Sequence, residues 1–415
     1  MNKKRLALVI ALFAALIGAV AVAAAPDVEV MRILRGTLTP AQLRILLDAR
    51  KAHIAEMQAR FADQPDPVQI WRNLDLAEDQ QDKLLDVAAM NVDELALAGQ
   101  QVQADGAALR RAVFTGNPDN PAIKTATDQL GLDLGDAAVL AADALEDARS
   151  ALTPAQVKLL EDQKALHDRH LSEFLNNMPA RVEELVTLWN KLALSPQQMD
   201  ALQEIHRIMP GIMRRRHQQD QAQFRADLSA ILTPAQLVLA DQFRAQMKAE
   251  HKGGRGLAMR QKLEADLALT GSQRISLVNM LIARRDSLEQ AGLLLVAAGL
   301  DLRDKVLAAP VDEAAIRESA GNFATVLASV SSLGAQLVTD ARKILTPKQF
   351  GVIAAAADRR DQAIARHIGQ APARVHAAIG FADQLALTPV QKSAIADLIE
   401  KRHAERRARF MAQGR

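Results

Sequence analysis

One short phrase recurs along this chain: Leu38-Thr39-Pro40-Ala41-Gln42, Leu152-Thr153-Pro154-Ala155-Gln156, Leu232-Thr233-Pro234-Ala235-Gln236 and Leu345-Thr346-Pro347-Lys348-Gln349. A looser form, Leu-x-Leu-x-x-x-Gln, ends at Gln80, Gln198, Gln273 and Gln391. Repetition of this kind constrains the fold before composition does, because every copy must start the same local structure. In Thr-Pro-Ala-Gln the Thr suits a helix N-cap. Pro suits the first helical position, which needs no N–H partner, and Gln falls where it can reach back to the cap and complete a capping box. The Leu before each Thr and the apolar residue after each Gln (Leu43, Val157, Leu237, Phe350) form a hydrophobic staple. Helix initiation, rather than ligand contact, is therefore the role expected of each phrase. Among the looser copies, Ser195 to Gln198 and Thr388 to Gln391 keep the box. Thr270 to Gln273 loses the Pro, and Ala77 to Gln80 loses the cap side chain.

The spacings indicate a duplication. Leu38 and Leu232 are 194 residues apart; Leu76 and Leu269, Leu152 and Leu345, and Leu194 and Leu387 are each 193 apart. Segments 178–198 and 371–391 are identical at nine of 21 positions, including Pro179, Arg181, Leu192, Leu194 and Gln198 with their partners. The chain reads as a signal segment at 1–25, a first repeat copy at 26–231 and a second at 232–415. Within each copy a helix follows the Thr-Pro start, a Pro/Gly break and a shorter helix come next, and two long helices then form a hairpin. The hairpin turns are Gly116 to Pro121 and Ala309 to Asp312, rich in chain-punctuating residues. Apolar residues along 84–114 recur at helical steps. No run of alternating β-branched residues suggests a strand, so the expected fold class is all-α: tandem-duplicated helical hairpins with no β-sheet.

Residues 2–5, Asn-Lys-Lys-Arg, followed by an apolar run from Leu6 to Val22 and small residues at Ala21 to Ala24, read as a secretory signal. An uncleaved N-terminal anchor is the alternative, because the run is about 20 residues long. There is no Cys, so no disulfide or thiol chemistry is expected. The 51 basic and 49 acidic residues balance, which argues against a nucleic-acid partner. Charge is local instead, at Arg214-Arg215-Arg216-His217 and over 401–415, where six basic residues face one acid, Glu405.

A Leu-Thr-x-x-Gln phrase used twice per helical unit behind a secretory signal resembles the Spy/CpxP family of periplasmic proteins. Segments 74–156 and 267–349 match that pattern best, and 192–236 looks like a shortened version. The resemblance implies a small α-helical fold, often a cradle-shaped dimer, that serves the envelope stress response. Spy-like members are ATP-independent chaperones holding unfolded clients on a concave face of apolar and basic character, and other relatives bind or sense heavy metals. This chain strings several units on one polypeptide, so the duplication is expected to replace a dimer.

Three functions follow as expectations. The first is a periplasmic, ATP-independent holding chaperone for unfolded or partly folded envelope proteins. Adaptable apolar side chains with charge nearby suit that task, and Ile208, Met209, Ile212, Met213, Arg214, Arg215 and Arg216 fit it best, with Phe410 and Met411 a smaller candidate of the same kind. The same pattern also suits core packing and a helix end, and Pro210-Gly211 is expected to kink or break the helix there. The second is metal binding or sensing, with His167 and His170 one turn apart beside Asp168. The ligand count falls short, and the offset positions hold Arg360 and Ala363. The third is a regulatory partner of a membrane sensor. No Gly-rich phosphate loop, Cys nucleophile or Ser/His/acid set stands out, so neither an enzyme nor a cofactor is expected.

Overall fold

The computed structural model describes residues 28–62, 67–251, 263 and 265–412; the side chains of some helical residues, among them 204–219, lie outside that description, as does the expected signal at 1–25. Among the described residues the chain is all-α, with no strand. In chain order the helices are α1 (Val28–Thr37), α2 (Pro40–Ala62), α3 (Pro67–Leu74), α4 (Glu78–Phe114), α5 (Pro121–Ser150), α6 (Pro154–Asn176), α7 (Met178–Leu192), α8 (Pro196–Ser229), α9 (Pro234–His251), α10 (Gly271–Ala283), α11 (Arg285–Val306), α12 (Glu313–Ile344), α13 (Pro347–Gly369), α14 (Ala371–Leu385) and α15 (Pro389–Ala412). Each long-helix hairpin, α4–α5 and α11–α12, turns where the Pro/Asp segments fall.

The capping boxes form. Thr153 Oγ1 accepts from the Gln156 N–H at 3.3 Å, and Gln156 Oε1 accepts from the Thr153 N–H at 2.8 Å. Ala77 has no cap side chain, and only the Gln80 half of its box remains, at 3.1 Å. The box uses the Gln oxygen and leaves its amide N–H groups free, and these join the phrases in pairs. Gln80 Nε2 donates to the Ala151 carbonyl at 2.8 Å and to Gln156 Oε1 at 2.8 Å, while Gln156 Nε2 donates to the Leu74 carbonyl at 2.7 Å and to Gln80 Oε1 at 3.1 Å. The same reciprocal clasp joins Gln42 to Gln198, Gln236 to Gln391, and Gln273 to Gln349. Each clasp unites one tight and one loose phrase, and in each copy the first phrase pairs with the fourth and the second with the third.

The loose phrases have their own backbone device. Asp75, Ala193, Ala268 and Ala386, the middle residues of Leu-x-Leu, all adopt left-handed φ between 41° and 44°. That conformation costs a non-glycine residue about 1–2 kcal/mol. It ends the preceding helix just after the Leu whose carbonyl accepts the partner Gln amide, as at Leu74, Leu192, Leu267 and Leu385.

The two copies embrace through contacts that repeat at the 193-residue offset. Arg110 of α4 pairs with Asp361 of α13, and Arg303 of α11 pairs with Asp168 of α6 at 2.7 Å. Arg149 donates to the Leu307 and Ala308 carbonyls, and Arg342 donates to those of Phe114 and Thr115 at 2.7 and 2.8 Å. In both sets residue i meets j and the counterpart of j meets that of i, which is the signature of a two-fold interface. The axis passes where α5 crosses α12: a Cβ on Gly131 would lie 2.7 Å from the Cβ of Ala324, its own counterpart. Buried Leu109, Ile123, Leu130, Leu295, Phe323 and Leu327 pack around this crossing.

Helix α8 belongs to both copies. Its first half carries Leu202, which packs with Leu34, Leu38 and Leu46 of copy one, and Gln198, which donates to the Thr37 carbonyl at 3.1 Å. Its second half stands where α1 stands in copy one, and Arg402 of α15 reaches back to Asp227 at 2.7 Å. The helix runs without interruption through Pro210 and Gly211, so the expected break does not occur.

Candidate functional site

The long helix α4 is unbroken over 37 residues. Its counterpart is not: Arg284, at φ −109° and ψ 9°, ends α10 and begins α11. Asn91 holds the matching place in α4 and stays helical, its amide donating to the Val87 carbonyl at 2.8 Å. The Arg284 guanidinium reaches α12, donating to Asp340 at 3.0 Å and Gln336 at 3.4 Å. Such interruptions of long helices often mark functional positions.

A cavity of about 510 Å³ lies beside this break, between the copies. α4 contributes Leu109, Arg110, Val113 and Phe114, α7 Met178, Val182 and Leu185, and α10–α11 Leu281, Arg285, Leu288, Glu289 and Leu295; α12 and α13 close it with Leu327, Val338, Ile353 and Arg360 among others. The volume falls within the ~300–1,000 Å³ of ligand sites, and the lining is overwhelmingly apolar. The two-fold-related region packs differently. There α14, the counterpart of α7, packs closely along α4, whereas α7 stands further from α11. α7 packs instead on α10, through Val186 and Trp189 against Val278 and Leu281, so the two equivalent helix pairings are unequal.

The charged residues of the wall are not equivalent. Arg110 is committed to Asp361, and Arg285 to Glu183 and, at 3.0 Å, to Asp286. Arg360 and Glu289, both half-buried, have no ion pair among the described residues. At the far end the Phe114 and Phe350 rings meet edge to face at 5.9 Å, and Arg342 lies 4.5 Å over the Phe350 ring.

Away from the cavity, Asp105 of α4 faces Asp133 of α5. Burial, reinforced by a hydrogen bond to Asp133 and that group's charge, pushes the Asp105 carboxyl up to about 6. The hydrogen bond from Asp105, with one from Gln129, holds Asp133 below the usual carboxylate range. Below about pH 6 the pair therefore holds one proton between its two carboxyls. Ala298 and Val326 occupy these positions in copy two, where both pack against the core.

The residues singled out from sequence are distributed differently. Ile208, Met209, Ile212, Met213 and Arg214 to Arg216 lie on α8, and their side chains, like those of Phe410 and Met411, lie outside the described residues. His167 is exposed and His170 half-buried on α6. Asp168 between them is engaged by Lys164 at 2.9 Å and Arg303 at 2.7 Å, and these partners hold its carboxyl low against its own burial. Among the described residues no group of three or more His, Cys, Asp or Glu is placed to hold a metal ion. The cavity escaped sequence reasoning because its walls come from six helices and the turn at Arg284 beside it carries no Pro or Gly.

Fold and site together define an all-helical chain of paired capping phrases, folded as two pseudo-symmetric halves around an apolar cavity. No protein-family model, curated protein or solved structure matches the chain. Among the described residues no helix is long and apolar enough to cross a membrane.

Proposed function

We propose that this protein is an envelope-localised, ATP-independent holding chaperone that captures apolar side chains of unfolded proteins. The observation that supports the reading is the cavity between the copies, a concave apolar surface of about 510 Å³. Client Leu, Met or Phe side chains would enter it while their backbone stays at the mouth and keeps its hydrogen bonds to water. Burying one such side chain contributes about 1.5–3 kcal/mol, which suits repeated weak capture better than tight binding. The resemblance of the Leu-Thr-x-x-Gln phrases to Spy/CpxP proteins agrees with this reading and adds the periplasm as its setting.

The test is aggregation of a chemically denatured client, followed by light scattering, with the purified protein present and nucleotide absent. Suppression near one chain per client is expected. Unchanged aggregation in the presence of protein that far-UV circular dichroism shows to be helical would overturn the proposal.

A further inference from the structure

We propose that the cavity binds one long-chain fatty acid, its hydrocarbon between the α7, α11, α12 and α13 walls and its carboxylate on Arg360. This goes beyond client capture and does not depend on it.

The polar inventory of the wall favours a hydrocarbon over an extended peptide inside. Ser331, Arg110, Arg285, Glu289 and Arg360 are the polar side chains lining the space. Two of these arginines already hold carboxylates. A peptide laid through the interior would bury N–H and C=O groups with almost nothing to pair them, a state that native structures avoid. An acyl chain brings no such groups.

Volume admits the chain. A dodecyl chain, at about 30 Å³ per carbon, takes up roughly 360 Å³, which the 510 Å³ of the cavity accommodates. One uncommitted arginine, Arg360, sets one head per protein chain.

Charge fixes the head. Arg360 is the one arginine of the wall without an ion pair among the described residues. A guanidinium in that position offers a two-pronged hydrogen bond to a carboxylate. Glu289, likewise without an ion pair and on the α11 wall, repels an anion and so turns the head toward α13.

Isothermal titration of the purified protein with dodecanoate below its micelle concentration, and with dodecylammonium, tests this. Dodecanoate is expected to bind once per chain, at least tenfold tighter than dodecylammonium. Arg360→Gln should weaken dodecanoate about tenfold, the worth of one charge-assisted hydrogen bond, without weakening dodecylammonium. Ala356→Phe, which fills the cavity, should weaken both; Val182→Phe takes its place if far-UV circular dichroism shows that Ala356→Phe has lost helix. Absence of dodecanoate binding, uptake of many molecules per chain, equal affinity for the two heads, or an Arg360→Gln variant that binds dodecanoate as the parent does would each overturn the proposal.

Discussion

Replacing Gln80 with Glu separates two roles that one side chain performs. A capping box accepts Glu as readily as Gln, since only the side-chain oxygen is needed. An acid in the first turn also gains up to about 1 kcal/mol from the helix dipole. If Gln80 served only α4, Gln80→Glu would be neutral or mildly stabilising. The clasp demands the opposite. Gln80 Nε2 makes two donated bonds, both at 2.8 Å, to the Ala151 carbonyl and to Gln156 Oε1. The substitution removes both bonds and turns a carboxylate toward two part-buried acceptors. At about 1 kcal/mol per lost bond and 1–3 kcal/mol per acceptor left unpaired, reduced for partial water access, the expected loss is about 2–4 kcal/mol. Urea unfolding followed by circular dichroism at pH 7, compared with Gln80→Ala, reads it. Gln80→Glu should be at least as damaging as Gln80→Ala, although it keeps the box. Placed against oxygen acceptors, the new carboxyl has a folded-state pKa raised above its unfolded value. Its cost is therefore largest at neutral pH and shrinks as pH falls through that raised pKa toward about 4, where a protonated acid donates one bond again. A Gln80→Glu midpoint within error of the parent at pH 7 would refute the clasp as a stabilising element.

The Asp105–Asp133 pair should make the parent protein more stable as pH falls from about 6 toward 4. Asp105 binds its proton more tightly folded than unfolded, so its penalty is present above about 6 and removed below 4. Asp105→Asn should abolish that dependence and raise stability at pH 7 by about 1–2 kcal/mol after discounting for solvent access, measured as the urea midpoint at the two pH values. Ala193→Gly should stabilise by up to about 1 kcal/mol, because Gly adopts the left-handed φ of 41° without strain while losing more chain entropy; thermal melting checks it. Gly131→Val should cost about 1–3 kcal/mol by overpacking against Ala324, and a melting temperature equal to the parent's would place the two helices further apart than described.

Much of the architecture was legible because the phrases state their own local physics. Thr153, Pro154 and Gln156 mark a helix start without any reference to the rest of the chain. The clasp was legible in principle: all eight phrases carry Gln and none carries Glu, a choice that capping alone does not require. The partner of each phrase was not, because pairing Gln80 with Gln156 and Gln42 with Gln198 depends on which helix ends meet. Pairs such as Arg110 with Asp361 were hidden for the same reason, each residue reading as one more charge on a helix face. Pro210 misleads as a breaker. Interrupting the ladder there costs about 3 kcal/mol, but the halves of α8 are anchored separately, by Leu202 in the first core and Asp227 on Arg402, and the helix runs through. The turn at Arg284 is the converse, a break with no breaker residue, held by Asp340 and Gln336 of the neighbouring helix.

The unequal packing of the two equivalent helix pairs has a genetic meaning. A homodimer of one-copy subunits carries every substitution twice, so any change that pries α7 away from its neighbour must also open the mirror site and weaken the interface on both sides. Fusion of the copies removes that coupling. One half can keep its long helix unbroken and its neighbouring helix packed along it, supplying cohesion, while the other accumulates the turn at Arg284 and the hollow beside it. A duplicated gene thus gains something that a symmetric assembly cannot have, a single specialised site braced by its own unspecialised twin.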